Sequence, residues 1–454
     1  MSSFAFELRL ILRSRLMAAA LLLLLLLSSL AVWSGLHEVA RQRQTIERLG
    51  PLNDADVAAV ARRYPNSPDG GQPAYYTFYA TWDPPADAAF MAIGLRDVAP
   101  YVLRVRALGL QAQLYEGETF NPELALAGRF DFAFVLIYLA PLFVIALLHD
   151  LVAGERQSGR LRMLLALPDG GRLWRRRVGL RYGLVFACLA LPLVAGALTA
   201  GLAVRELAVA LAVTLAYLAF WTGLSLLVAT RAWHSVTNAT ALMGAWAVLT
   251  LVLPALANVV LTRAIPVHQG VDLMLAQRQA VHGAWEIPRE DTMRRFLAGH
   301  PEWKDTAPLP AGFHYKWYFA FHQLGDESVA AQVRDYRAGL AARQEWTARL
   351  GWLLPGVGAQ AVLHRLAGTD LPAQLAYQDS IVDFHRAIRT FYYGYLFHDR
   401  PFGQDDYARR PAYAAREPHT GLSWSGLLAM SALGLAVLAL GLGRLRRLRL
   451  HAGG

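Results

Sequence analysis

The chain alternates between long stretches without a charged residue and stretches dense in them. Six uncharged apolar runs stand out, at residues 16–36, 132–148, 182–203, 207–229, 236–261 and 422–442, the first holding seven consecutive leucines from Leu21 to Leu27. About 20 helical residues cross a hydrocarbon core of roughly 30 Å. The pattern therefore predicts six membrane-spanning helices. Between them, residues 37–130 open with Val39, Ile46 and Leu49 on one helical face, which continues the first span. After the turn-rich 64–71, the tyrosine-rich, weakly alternating 74–82 predicts a strand. Residues 262–421 read as mainly helical: Val329, Val333, Tyr336 and Leu340 recur at helical spacing, as do Ile381, Phe384, Ile388, Phe391 and Tyr395. Two connections are minimal, Val204-Arg205-Glu206 between spans 3 and 4 and residues 230–235 between spans 4 and 5.

The expected fold class is a membrane all-α protein, with six transmembrane helices and a mainly helical extracytoplasmic domain with minor β content, formed by two loops. Its parts are 1–36 (an N-terminal interfacial segment and span 1), 37–130 (the first polar stretch), 131–149 (span 2), 150–181 (a cytoplasmic loop), 182–261 (spans 3 to 5), 262–421 (the second polar stretch), 422–443 (span 6) and a basic tail, 444–454.

Composition agrees with this division. A chain of 454 residues that is 55% hydrophobic and only 17% charged is too apolar for a water-soluble assembly. Orientation follows from arginine. Between Asp150 and Arg181 the eight arginines Arg156, Arg160, Arg162, Arg172, Arg175, Arg176, Arg177 and Arg181 face three acids, which places that loop in the cytoplasm. Arg9, Arg13 and Arg15, Arg231, and Arg444, Arg446, Arg447 and Arg449 mark the same side, so both termini are expected there. The setting that fits is a bacterial cytoplasmic (inner) membrane. The +10 net charge is then an orientation signal plus attraction to an anionic lipid bilayer, and no nucleic-acid partner is read from it. A signal peptide is the rival reading of the first run. Its length, and the lack of a small-x-small site in 28–33, favour a retained anchor.

Catalytic and nucleotide motifs are missing. A phosphate loop needs a lysine after a glycine-rich turn, and the only lysines are Lys304 and Lys316. There is neither a His-Glu-x-x-His helix nor a Gly-x-Ser-x-Gly elbow, and the single cysteine, Cys188, lies inside span 3. Nine histidines fall in the second polar stretch, none spaced to share a helix face, so scattered surface or capping roles are favoured over a metal site. Asp379 and Asp383 share an i, i+4 spacing that suits an exposed face as well as a joint site. Pro141, Pro192 and Pro254 interrupt spans 2, 3 and 5, either lining a pathway or tolerated by packing. Asn238 is a candidate interhelical hydrogen-bonding group.

The loop after span 2 is the most patterned segment. It holds Asp150, then Glu155-Arg156, Gly159, Leu161, Leu164-Leu165 and Pro168, a glycine-punctuated helix with a leucine stripe that a merely topogenic loop does not require. This pattern resembles the type-2 ATP-binding-cassette (ABC) permeases, the membrane subunits of one class of exporter. Arg160 and Arg162 depart from it, standing where a hydroxyl residue and an acid are frequent. Asn121-Pro122, Gly128-Arg129-Phe130-Asp131-Phe132, Phe220-Trp221, Asn238 and 253–258, which includes Pro254 and Asn258, extend the resemblance to a subgroup of unassigned function with a large insertion between spans 5 and 6.

The resemblance implies a non-catalytic permease subunit that couples ATP hydrolysis on a separate ABC ATPase subunit to export. Asp150, Glu155, Arg156, Gly159, Leu161, Leu164, Leu165 and Pro168 would form the ATPase-coupling loop; Pro141, Asn238, Pro254 and Asn258 would serve the pathway or helix packing. It further implies a second permease copy or a homologous permease, and an interfacial helix near Phe4 to Leu12. This chain would bind no cofactor itself, ATP and Mg residing on the partner subunit. Two alternatives stay open: an ABC-driven mechanotransmitting subunit acting on an extracytoplasmic partner, and a membrane-anchored sensor or enzyme.

Overall fold

A computed structural model describes residues 3–115, 128–166, 170–267 and 270–450, and the architecture is mainly helical. Six helices are long and apolar enough to cross a membrane: Arg15–Arg63, Phe132–Gln157, Arg172–Ala200, Val204–Ala229, Ser235–Ala264 and Trp424–Arg447, here spans 1 to 6. A separate helix, α1 (Ser3–Arg13), precedes span 1. It turns Glu7 and Ile11 inward and leaves Phe6 and Leu10 exposed. Span 4 is the most enclosed of the six, and span 5 lies at the edge with its apolar side chains largely uncovered.

The first helix does not stop where its leucines do. It runs for 49 residues to Arg63, so span 1 and the first part of the polar stretch are one rod. The turn between spans 3 and 4 falls one step earlier than the polarity of Arg205-Glu206 suggests. Gly201 takes a left-handed conformation (φ +73°), and Leu202 N–H closes onto Ala197 O at 2.9 Å, a glycine-type helix stop. Val204 then begins span 4 with Glu206 in its first turn, where an acid complements the helix dipole.

The two polar stretches form one body with a shared core of its own, while residues 88–93 of the first stretch, with Phe90 against Gly35 and Gly196, belong to the core of the spans. Its short strands are β1 (Asn66–Ser67), β2 (Tyr79–Trp82), β3 (Val102–Val105) and β4 (Phe402–Gly403). β1 pairs antiparallel with β4 across the two stretches, and β2 with β3 within the first. Of the expected strand at 74–82 only β2 forms, because Gly71–Tyr76 is a helix, α2, started by Asp69, whose carboxylate accepts from Gly71 N–H at 2.8 Å. Next come α3 (Leu110–Leu114), α4 (Gly270–Gly283), α5 (Arg289–Gly299), α6 (Tyr315–Ser328), α7 (Ala330–Leu350), α8 (Pro355–Ala367), α9 (Leu371–Leu396) and α10 (Gln404–Ala408). Phe296, Phe319, Phe321, Ile388, Phe397 and Phe402 are fully enclosed, so the aromatic clusters of α6 and α9 are core. Polar bonds cross the core as well: Tyr79 and Tyr392 share a hydroxyl contact at 2.8 Å, and Thr81 and Tyr377 one at 2.9 Å.

One helix of the second stretch leaves this body. The buried side chains of α8, Ala359, Val362, Leu363, Leu366 and Ala367, belong to the core of the spans. α7 and α8 form a hairpin whose arms touch at Gly351 and Gly358, where a Cβ on Gly358 would lie 2.4 Å from Gly351 O. Near its upper end, α8 meets the head of span 6 through Gly421 N–H donating to Arg365 O at 3.1 Å. Gly356, nine residues earlier, sits against Ile137 of span 2 and Tyr217 of span 4. At the helical rise this is a descent of up to roughly 13 Å between the spans.

Candidate functional site

At one end of the bundle, the segment after span 2 is held to its neighbours through Glu155. Its carboxylate pairs with Arg160 at 2.9 Å and with Arg177 of span 3 at 2.9 Å, and Arg177 also reaches Glu7 of α1 at 3.3 Å. Arg177 and Glu155 are little exposed, where charge-assisted hydrogen bonds contribute about 1.5–3 kcal/mol each. Arg156 donates to Arg231 O at 3.1 Å, tying the segment to the turn between spans 4 and 5. Asp150 is exposed, and a Cβ on Gly154 would lie 2.5 Å from its carboxylate. Gly159 is left-handed (φ +72°) and lets the chain turn into the short helix Leu161–Ala166. There Leu161 packs on the core of the spans and Leu164 is half-buried, whereas Arg160, Arg162 and Met163 point away from the bundle. Leu165 lies in the same helix; Pro168 lies outside the described residues, as does Asn121-Pro122. Leu161 thus faces the protein's own spans, and the exposed side chains of this stretch are Arg160, Arg162 and Met163.

Toward the other end, spans 2 and 5 each contain a π-helical turn, Val135–Leu139 and Val248–Val252, and each turn is followed within two residues by a proline, Pro141 or Pro254. Proline has no N–H for the carbonyl four residues back. In span 2 that carbonyl, Ile137 O, accepts from Tyr217 at 2.8 Å, and the next, Tyr138 O, accepts from Trp246 of span 5 at 3.1 Å. Side chains of adjoining helices thus reach the carbonyls at the interruption, Tyr217 taking the one for which Pro141 has no N–H. Asn238 is enclosed and donates to His149 O at 3.2 Å, joining span 5 to the far end of span 2. Pro141 and Asn238 thus both lie at contacts between spans.

Pro254 and Asn258 have a different setting. With Ala257 and Leu261 they form one wall of a cleft of about 430 Å³. The facing wall is the α7–α8 hairpin, through Gln344, Thr347, Leu350, Leu354, Val357, Gln360, Ala361 and His364. A second cavity, of about 380 Å³, adjoins it at Leu95, Gln360 and His364 and extends over the head of span 2 to Arg129, Asp131 and Tyr138. Here Asp131 caps span 2: one carboxylate oxygen accepts from Phe134 N–H at 2.9 Å and the other from Ile93 N–H at 2.8 Å. Burial pushes its carboxyl up to about 6 in spite of those two donors. Arg129 is committed to Glu38 at 2.8 Å and Asp97 at 2.6 Å.

A family model described as a domain of unknown function, DUF3526, matches residues 272–416. No curated protein and no solved structure matches the chain. The matched stretch contains the whole α7–α8 hairpin, and with it one wall of the cleft. It carries no stated chemistry.

Among the described residues no group of histidines, cysteines and acids is placed to hold a metal ion. Three histidines expected at the surface are not there. His385 is enclosed, its Nε2 facing Arg106 O and Leu108 O at 3.0 and 2.8 Å; His322 is held down to about 3 by burial beside Arg389 and Arg106; His364 lines the cleft. His314 does cap α6, and His268 lies outside the described residues. Asp379 pairs with Arg337, and Asp383 with Arg386 and Arg416, as on an exposed face. Gln360 and His364 were not singled out from the sequence. The signal was there, two polar residues at i, i+4 within the otherwise apolar 352–364.

Proposed function

We propose that the protein is the membrane permease subunit of an ABC exporter, which a separate ATPase drives through the loop after span 2. The arrangement of that loop supports the reading most directly. Its inner face is bonded through Glu155 and Arg156 to α1, span 3 and the turn between spans 4 and 5, so a push on the outer face, Arg160, Arg162 and Met163, is passed to several helices at once. Arginine placement sets the loop and both termini in the cytoplasm of a bacterial inner membrane, and the two-stretch body outside it. A second permease copy suits the uncovered face of span 5, where Leu251, Leu256 and Val260 are exposed. The body, with its own core, also suits a subunit that passes force to an extracytoplasmic partner. Substrate-stimulated ATPase activity separates export from that alternative.

The test is isolation of the tagged full-length chain from its native membranes in mild detergent. An ATPase should co-purify with the wild type, and Arg162→Glu, which alters only the outer face, should reduce its recovery severalfold. If no ATPase accompanies the wild type, or if Arg162→Glu retains it fully, the loop serves topology alone.

A further inference from the structure

We infer that a strip of exposed aromatic rings on the two-stretch body, bordered by Arg63 and Arg106, docks an acidic, proline-containing segment of another extracytoplasmic protein. The inference rests on that body lying outside the membrane, as in the proposed function, but on no ATPase partner.

The inner side of the α6 aromatic cluster is core, but its outer edge is uncovered. Phe313, Trp285 and Tyr76 are 55%, 52% and 39% exposed, and the rings between them, Tyr75 and Tyr318, are half-buried. The run is continuous. Tyr64 lies 5.1 Å from Tyr76, Tyr76 4.9 Å from Tyr75 and Tyr75 5.8 Å from Tyr318, which in turn lies 5.7 Å from Phe313 and 6.1 Å from Trp285. Single apolar groups at a surface are ordinary, whereas a contiguous run of large ones marks an interaction site. Tyrosine, tryptophan and arginine are also the side chains that anchor protein interfaces.

Position and shape narrow the occupant. Tyr64 follows directly on the 49-residue rod of span 1, up to roughly 40 Å beyond the charge-free run that ends at Leu36, which carries the strip away from lipid. Tyr64 and Tyr76 stack, but the other neighbours in the run cross at angles between 56° and 78°. The surface is therefore notched, where a flat platform would suit a sugar ring. Aromatic notches of this kind receive the prolines of an extended chain.

Charge complementarity supplies the sign. The Arg63 guanidinium lies over Tyr64 and Tyr76, 5.5 and 5.7 Å from the ring centroids, and that of Arg106 lies 5.0 Å from the centroid of Tyr75. Arg106 also donates to Tyr75 O at 3.4 Å, and a carbonyl leaves its charge standing. Neither arginine joins an ion pair among the described residues. Of the acids beside these rings, Asp56 is paired with Arg104 at 2.7 Å, and Asp69 is buried under His314 and Gly71 N–H. At the other end, the exposed Glu286 is balanced by Arg289, which bonds only Pro310 O. The accessible charge of the strip is thus positive at the Tyr75–Tyr76 end. Carboxylates on the incoming segment meet it there by charge-assisted hydrogen bonds.

The experiment uses the full-length protein, fluorescently tagged, in nanodiscs of zwitterionic lipid without ATPase or nucleotide. It is applied to an array of octapeptides of graded charge and proline content, printed beside oligosaccharides. The wild type should be retained on peptides that combine glutamate with proline about tenfold more than on the same peptides with lysine for glutamate. Phe313→Ser should lower retention on the acidic peptides about tenfold, and Arg63→Glu should erase the preference for glutamate over lysine. Both replace exposed side chains, and their thermal unfolding should match the wild type; should either unfold, the wild-type preference alone decides. Retention on no peptide, or equally on acidic and lysine peptides, overturns the proposal, as does retention on oligosaccharides alone. A wild-type dimer that Phe313→Ser splits, read by mass photometry, would show that a second copy covers the strip and would likewise overturn it. Because no ATPase is present, failure here leaves the exporter reading standing, and failure of co-purification leaves this one standing.

Discussion

Two glycines in α8, two residues apart, should respond to alanine with opposite sign. A Cβ on Gly356 would lie 3.5 Å from Ile137 Cγ2 and 3.7 Å from Tyr217 Oη, ordinary van der Waals distances. Gly356→Ala thus adds contact and removes unfolded-chain freedom, and should stabilise by about 0.5–1 kcal/mol. A Cβ on Gly358 would lie 2.4 Å from Gly351 O and 3.2 Å from Gly351 C, and a backbone carbonyl in the opposite arm has no rotamer to swing away. The same helix-propensity gain of about 1 kcal/mol is then set against overpacking of about 1–3 kcal/mol. Gly358→Ala should therefore lose stability, by about 1–2 kcal/mol where the arms must separate. Denaturant unfolding of the full-length protein in mixed micelles, each variant beside the wild type, reads both shifts. Gly358→Ala stabilising as much as Gly356→Ala would show that the arms do not meet as described, and would remove the hairpin wall of the cleft with it.

Tyr217→Phe should cost about 1–3 kcal/mol by leaving Ile137 O unsatisfied. The cost should shrink in a Pro141→Ala background, which restores the missing N–H, and equal costs in both backgrounds would sever the hydroxyl from the proline. Acid should weaken the polar body through His322, whose pKa falls from the ordinary 6.5 to about 3 on burial. The stability that this group contributes is complete above pH 6.5 and is lost at about 1.4 kcal/mol per pH unit as pH falls toward 3. In His322→Gln, thermal unfolding followed from pH 7 to pH 4 should slope less, and an unchanged slope would assign the acid sensitivity elsewhere.

The spans were legible because lack of charge over about 20 residues has few alternatives in a folded chain. Helical periodicity served α9 equally well, since Ile381 and Ile388 are enclosed where the spacing puts the core. It served α7 too, since Val333, Tyr336 and Leu340 lie in the helix Ala330–Leu350, although no residue of that helix is fully enclosed. Strand content was legible only in part, since alternation over 74–82 does not reveal that Asp69 starts a helix at Gly71. The place of α8 was hidden for a different reason. Its run is 13 residues, too short to span, and a buried helix of a soluble body has the same composition. Only contact with the spans tells the two apart. In the loop, the residue types were readable but their facing was not. Leu161, the first leucine of the expected contact stripe, packs on the spans just after the left-handed turn at Gly159.

The two ends of the molecule are joined by the same pair of helices. Span 2 leads into the loop at Asp150, and span 5 is tied to the end of span 2 by Asn238 and begins just after the turn that Arg156 grips. Toward their other ends both helices carry a π turn and a proline, joined there by Trp246 to Tyr138 O, and at that level α8 descends and the cleft opens beside Pro254. An uninterrupted helix passes an axial push to its far end with little change of shape. A helix whose ladder is broken at one turn bends there first, and in span 2 the carbonyls at the break, Ile137 O and Tyr138 O, are held by side chains of spans 4 and 5. A displacement of the loop would therefore be felt chiefly at the level of the two breaks, that of span 5 beside the cleft and that of span 2 beside the adjoining cavity, and less in the continuous span 4. That places the sensitive point of the bundle beside the cleft, which is bordered by α8, a helix of the second polar stretch that packs on the spans.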